Sequence, residues 1–185
     1  MHVSSIIISH AHGLCFRPSR PDETLYAHRL HQNRAWLRLS DLDEQALSLA
    51  SENIALHGQS DRVWALRADL LSAIRSGSAD VVLANPPYVS RAEMAELPPE
   101  YFVEPRIALE ADAAGTELAV ALLREAVRVL APDGLMVLEV GETWMALEDR
   151  LSKVPFLWLE LPQGGSGVAA ISAQELRDWN AAGIL

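Results

Sequence analysis

The stretch that most narrows the possible folds is Asp80-Val81-Val82-Leu83-Ala84, followed by Asn85-Pro86-Pro87-Tyr88. Val81, Val82 and Leu83 favour strand and leave no alternating polar position, as expected of a strand covered on both faces in a parallel sheet. The two prolines then fix φ at consecutive residues and remove two backbone donors, so the turn is rigid and its carbonyls and flanking side chains have little freedom. In open α/β sheets the ligand crevice lies at the carboxyl ends of such strands. A proline pair at that point also serves simply to stiffen a loop.

The polar groups in this turn suit a planar NH2 group. The Asn85 side-chain oxygen and the Pro86 carbonyl can accept its two protons, while the Tyr88 ring stacks on its flat face. A conjugated NH2 is a poor nucleophile because its lone pair is delocalised. Two acceptors aimed at its protons stabilise the positive charge that grows on nitrogen during alkylation. The chemistry implied is methyl transfer to nitrogen, with Asn85, Pro86, Pro87 and Tyr88 as the catalytic set. That scheme requires neither a metal nor a side-chain general base.

From residue 35 onward, strand and helix patterns alternate. Strands are predicted over residues 35–40, 63–68, 80–84 and 135–140. Helices are predicted over 43–57, 116–130, 144–151 and 175–182. This order gives a mostly parallel sheet with helices on its faces. Residues 156–161 and 167–172 read as two further strands joined through Pro162, Gly164 and Gly165, a turn short enough to demand antiparallel pairing. Asp41 and Asp69 end two strands on the crevice side, where a carboxylate can accept from ribose hydroxyls or an adenine amine. Each also reads as a helix cap.

Composition excludes several classes. The chain has 185 residues, enough for one domain with a core. Its 15 basic against 25 acidic residues give a formal charge of −10, which speaks against a large nucleic-acid footprint. No apolar run approaches the roughly 18 residues of a membrane span, and the first 14 residues lack the features of a secretory signal, so a cytoplasmic location is expected. No pattern speaks to self-association. The lone Cys15 leaves no internal disulfide. His10, His12 and Cys15 have a metal-like spacing, but no second ligand cluster follows to complete a site, so no metal is expected.

Asn-Pro-Pro-Tyr after a buried strand resembles the signature of class I S-adenosylmethionine methyltransferases acting on glutamine amides or adenine amines. The match extends further along the chain. Ser40-Asp41 through Asn53, then Leu97-Pro98, Glu100-Tyr101, Glu104-Pro105 and Ala108-Leu109, resemble segments of the HemK-like protein-glutamine methyltransferase family. The ending Pro155-Phe156, Trp158-Leu159-Glu160, Gly164-Gly165 and Gly167-Val168 is similar to the branch that methylates large-subunit ribosomal protein three. Residues 40–176 carry this likeness. It implies a Rossmann-like α/β sheet, mostly parallel with an antiparallel C-terminal pair. It further implies S-adenosyl-L-methionine as cofactor, bound by Asp41, Asp69 and Asn85, and a glutamine side chain of a ribosomal protein as substrate. Alternatives are a release-factor substrate, a nucleic-acid adenine amine, or a fragment without turnover.

One region departs from that family. Residues 1–38 contain five of the six histidines and Gly13 as their one glycine, with weak signals for a strand over 3–9 and a short helix over 23–31. Neither the family's first strand nor its glycine-rich turn, which approaches the methionine part of the cofactor, is evident. Residues 1–38 are therefore expected to be an atypical segment, poorly ordered or foreign, on an incomplete catalytic domain at 39–185. Of the 15 basic residues one is lysine, the bias of a GC-rich gene, and an upstream truncation or frameshift accounts for such a segment.

Overall fold

A computed structural model describes residues 5–10, 36–86, 115–161 and 166–185. Six strands form one sheet in the order β3-β2-β1-β4-β5-β6. They are β1 (Ser5–His10), β2 (Trp36–Asp41), β3 (Val63–Arg67), β4 (Ala79–Asn85), β5 (Leu130–Glu139) and β6 (Val168–Ser172). The first five run parallel, and β6 pairs antiparallel with β5. The mostly parallel α/β sheet with an antiparallel end, expected from the sequence, is the fold observed.

The slot of the first strand, expected to be missing or replaced, is filled. Ser5–His10 lies between β2 and β4, with Ile6, Ile7 and Ile8 in register with Leu37, Arg38 and Leu39 on one side and with Val81, Val82 and Leu83 on the other. Three consecutive β-branched residues suit a strand flanked on both edges. This strand begins two residues later than the one predicted over 3–9. The glycine-rich turn, the helix predicted over 23–31, and His12 and Cys15 fall outside the described residues. So do Pro87, Tyr88, the loop through Leu109, and Gly164 and Gly165.

Helices cover both faces. α1 (Glu44–Leu56) starts at Asp43, whose carboxylate accepts from the Gln45 N–H at 2.9 Å, a standard N-terminal cap. It packs on the face carrying Leu37 and Leu39, where Ala50 and Ile54 meet Val63 and Ala65. On the opposite face, α2 (Glu117–Val129) buries Ala119, Val120, Leu122, Leu123, Ala126 and Val129 at helical spacing. With α4 (Ala173–Ala181) it covers Val82, Ala84, Met136, Leu138, Ala169 and Ile171. α3 (Trp144–Arg150) follows a 3₁₀ turn over Gly141–Thr143.

The pairing predicted between 156–161 and 167–172 is present but short. It consists of one antiparallel bridge, Trp158 with Ala169, and hydrogen bonds from Leu159 N–H to Val168 O (2.8 Å) and from Ala170 N–H to Leu157 O (3.3 Å). The longer antiparallel ladder of β6 is with β5 instead.

Candidate active site

Strand order reverses between β1 and β4: the chain from β1 passes to β2 and β3 on one side and to β4 on the other. This is the switch point at which open α/β sheets bind ligands. Asn85 is the last residue of β4 and pairs with His10, the last residue of β1. Asp41 ends β2. Asp69 lies two residues beyond the end of β3.

The register shows which side chains share a face. Leu39 and Leu83 both pair with Ile8, so they point to the same side of the sheet. Alternation along each strand then puts Asp41 and Asn85 on that side too. The Ala84–Leu138 pair places Glu139 next to Asn85 on the neighbouring strand, also on that face. The polar residues at the strand ends therefore form one row: Asp41, Asn85, Glu139.

The environment of each can be stated. The Asn85 side chain is half-buried and makes no hydrogen bond among the described residues, and the Pro86 that follows it is buried. A half-buried amide on a rigid turn that meets no hydrogen-bond partner among the described residues is unusual for a purely structural residue. Asp41 is 6% exposed, and its Oδ1 accepts from the Asp43 N–H at 2.8 Å. Its own carbonyl accepts from Ala68 N–H at 3.0 Å, tying the end of β2 to the segment that leads into Asp69. The helix cap that Asp41 was equally suited to provide is supplied by Asp43. Asp69 precedes turns rather than a regular helix, and its carboxylate is exposed.

Both acids are thus left without a capping role at adjacent strand ends, a chemistry that fits ribose and adenine hydrogen-bond donors. The far rim is backbone. Gly167 (φ +72°) lies so close to Gly141 that a methyl group there would overlap the Gly141 carbonyl. A depression of about 310 Å3 lined by Arg38, Leu66, Ala73, Ile74, Arg75 and Ser78 lies away from this row. Arg38 points to the opposite face from Asp41, and the depression takes no part in the site.

Pro87 and Tyr88, the other half of the predicted catalytic turn, lie outside the described residues. Sequence reasoning missed the cap role of Asp43 and the turn over residues 69–74. An Asp two residues after a strand-ending Asp was the available signal for the first. For the second there was none, since its hydrogen bonds come from distant elements.

The fold and its strand-end row define a Rossmann-like domain of the class I methyltransferase type. Residues 25–107 match the family described as methyltransferase small domain. Two curated relatives are named ribosomal protein uL3 glutamine methyltransferase. One, from Francisella tularensis subsp. tularensis, is 36% identical over 140 residues, 76% of this chain and 45% of the relative. The other, from Xanthomonas campestris pv. campestris, is 38% identical over 148 residues, 79% of this chain and 47% of the relative. The chain is similar to these protein-glutamine methyltransferases over about three quarters of its own length, and it spans about half the length of the curated relatives it matches.

Solved structures bear on the fold alone. A methyltransferase from Pyrococcus furiosus superposes with a TM-score of 0.59 at 16% identity, covering 94% of this chain and 77% of that one. A ribosomal protein L11 methylase from Lactobacillus delbrueckii subsp. bulgaricus gives 0.53 at 15% identity, covering 91% and 68%.

Proposed function

We propose that this chain carries S-adenosylmethionine-dependent methylation of a glutamine side-chain amide in large-subunit ribosomal protein three, uL3. The observation that carries the reading is the half-buried Asn85 amide at the switch point, without a hydrogen-bond partner among the described residues and on the same face as Asp41. The names of the curated relatives support the choice of substrate. A formal charge of −10 suits a basic ribosomal protein better than nucleic acid. The setting is the cytoplasm, and no described helix is long and apolar enough to cross a membrane.

When bound, the cofactor supplies an electrophilic methyl carbon on a sulfonium sulfur. Asp41 would accept from its ribose hydroxyls and Asp69, beyond the neighbouring strand, from its adenine amine, while Asn85 lies across β1 from Asp41 at the end of β4. The substrate amide donates one proton to Asn85 Oδ1 and the other to the Pro86 carbonyl, which leaves its nitrogen facing the methyl donor. Tyr88 packs on the amide plane. These acceptors strengthen their hold as positive charge builds on nitrogen, lowering the barrier selectively in the transition state. Buried Pro86 and its neighbour Pro87 keep the acceptors from turning away. The amide nitrogen would take the methyl group as the methyl–sulfur bond breaks, leaving the neutral thioether S-adenosylhomocysteine, and would lose one proton to solvent.

Calorimetric titration with S-adenosylhomocysteine, alongside the Asp41→Ala variant, tests the cofactor part. Micromolar binding that the variant loses is expected. Incubation with methyl donor and purified uL3, followed by peptide mass spectrometry, tests the substrate part. One added methyl on a glutamine supports it, and methylation confined to another residue type or to RNA overturns it.

A further inference from the structure

The turn after β3 holds an unusual backbone. Leu70 has φ +48°, the left-handed region that branched side chains rarely enter. Such outliers persist where surrounding groups over-determine them, and they gather at ligand-binding positions. Here the surrounding groups are identifiable. Ser40 Oγ on β2 donates to the Leu70 carbonyl at 3.0 Å. Glu125 Oε2 on α2 accepts from the Leu71 N–H at 2.9 Å. Arg128, one turn further along α2, donates to the Leu71 carbonyl at 2.9 Å and to the Ile74 carbonyl at 2.5 Å.

Both polar groups of the Leu71 backbone are therefore satisfied by α2, while the Leu71 side chain is fully buried. With Leu71 fixed on one side and the Leu70 carbonyl fixed by Ser40 on the other, residue 70 cannot relax to an extended conformation. Its own N–H meets no acceptor among the described residues, and the preceding residue is Asp69, with its exposed carboxylate. Among the described residues, a donor and an acceptor without partners thus stand on consecutive residues just past the end of β3. They complement the edge of an adenine, which offers an amine donor beside a ring-nitrogen acceptor.

We propose that Glu125 and Arg128 are positioning residues that set this donor–acceptor pair and so give the site its selectivity for adenine. The inference rests on the cofactor reading above. It adds a task for α2, which packs on the face of the sheet opposite the strand-end row. Glu125 acts as an acceptor, so glutamine can replace it and alanine cannot. Arg128 acts through two donors on two carbonyls, so lysine replaces it in part.

The test compares two ligands on the full chain. Calorimetric titration with S-adenosylhomocysteine and with S-inosylhomocysteine, whose purine carries a carbonyl in place of the amine, gives a selectivity ratio for each variant. The wild type is expected to favour the adenosyl ligand by about tenfold or more, because the inosyl ligand leaves Asp69 without a donor. E125A is expected to bring the ratio close to one, E125Q to keep it, and R128K to fall between. Thermal melting of each variant reports folding, and if E125A does not fold, R128K against E125Q carries the test.

A ratio unchanged in E125A, or a fall in both affinities together with no change in ratio, overturns the proposal. Asp41→Ala separates this failure from that of the cofactor reading. As a ribose contact it should weaken both ligands equally. If it leaves both affinities unchanged, or if the wild type binds neither ligand, the cofactor reading fails and the positioning role with it.

Discussion

The two halves of the sheet are stabilised differently. Around β4, β5 and β6 the α2 and α4 helices enclose a continuous apolar cluster in which Val82, Leu123, Met136, Leu138 and Leu176 have no exposure. Around β2 and β3 the buried described residues on the α1 side are Leu37, Leu39 and Ala50. The other side of those strands leaves Trp36 and Trp64 stacked at 5.4 Å and 47% and 41% exposed. Asn85 stands on the densely packed half. Asp41 and Asp69 stand on the thin half, where polar ties from Ser40, Glu125 and Arg128 hold the turn after β3 alongside the burial of Leu71 and Ile74. The strand that ends at Asn85 is thus held by apolar packing, and the turn that follows Asp69 also by hydrogen bonds to distant elements.

Substitutions can break or sharpen this contrast. Leu123→Ala, in the enclosed cluster, should cost about 2–5 kcal/mol of unfolding free energy. Leu39→Ala on the thin half should cost about 2 kcal/mol, because its site is open enough to relax. Urea denaturation of both variants measures the difference, and equal losses would dissolve the contrast.

A smaller effect is expected at the start of α4. The Ser172 hydroxyl accepts from Glu175 N–H at 3.2 Å, while Glu175 Oε2 accepts from the Ser172 hydroxyl at 2.6 Å and from its N–H at 2.8 Å. Ser172→Ala should cost about 1 kcal/mol at neutral pH. The hydroxyl first, and the backbone N–H second, hold the Glu175 carboxyl below its ordinary range. A lowered folded-state value means that its contribution is complete above the unfolded-state value and is lost as pH falls through the folded one. Part of the Ser172→Ala deficit should therefore vanish on acidification, which denaturation curves at descending pH would show. The smallest effect belongs to Arg67, whose ion pair with Glu44 is 61% and 73% exposed. Arg67→Ala should change stability by no more than about 0.5 kcal/mol, and added salt should erase even that.

The same contrast explains how much of this molecule its sequence discloses. The central strand and Asn85 are legible because an unbroken apolar run ending at two prolines carries its meaning locally. α1, α2 and α4 are legible from their period. β1 gives only the weak strand signal over 3–9, because three isoleucines are a short run and the strand's place depends on pairing with β2 and β4, which no local pattern reveals. The choice between cap and ligand for Asp41 was open in sequence, since Asp41 and Asp43 both precede the same helix. Only the hydrogen bond from Gln45 N–H to the Asp43 carboxylate assigns the cap to the later residue. The ties to the 69–74 turn were invisible because Leu71 and Glu125 are 54 residues apart.

The central claim of the proposal is that Asn85 holds the substrate amide and contributes less to cofactor affinity than the two acids do. Single-turnover methylation of uL3 by the wild type and by Asn85→Ala, with S-adenosylhomocysteine affinity measured on both, tests it most directly. The expected result is a rate lower by roughly 10²–10³ in the variant, with affinity changed by less than about threefold. Transfer at the wild-type rate, or loss of affinity as large as the loss of rate, would contradict the assignment.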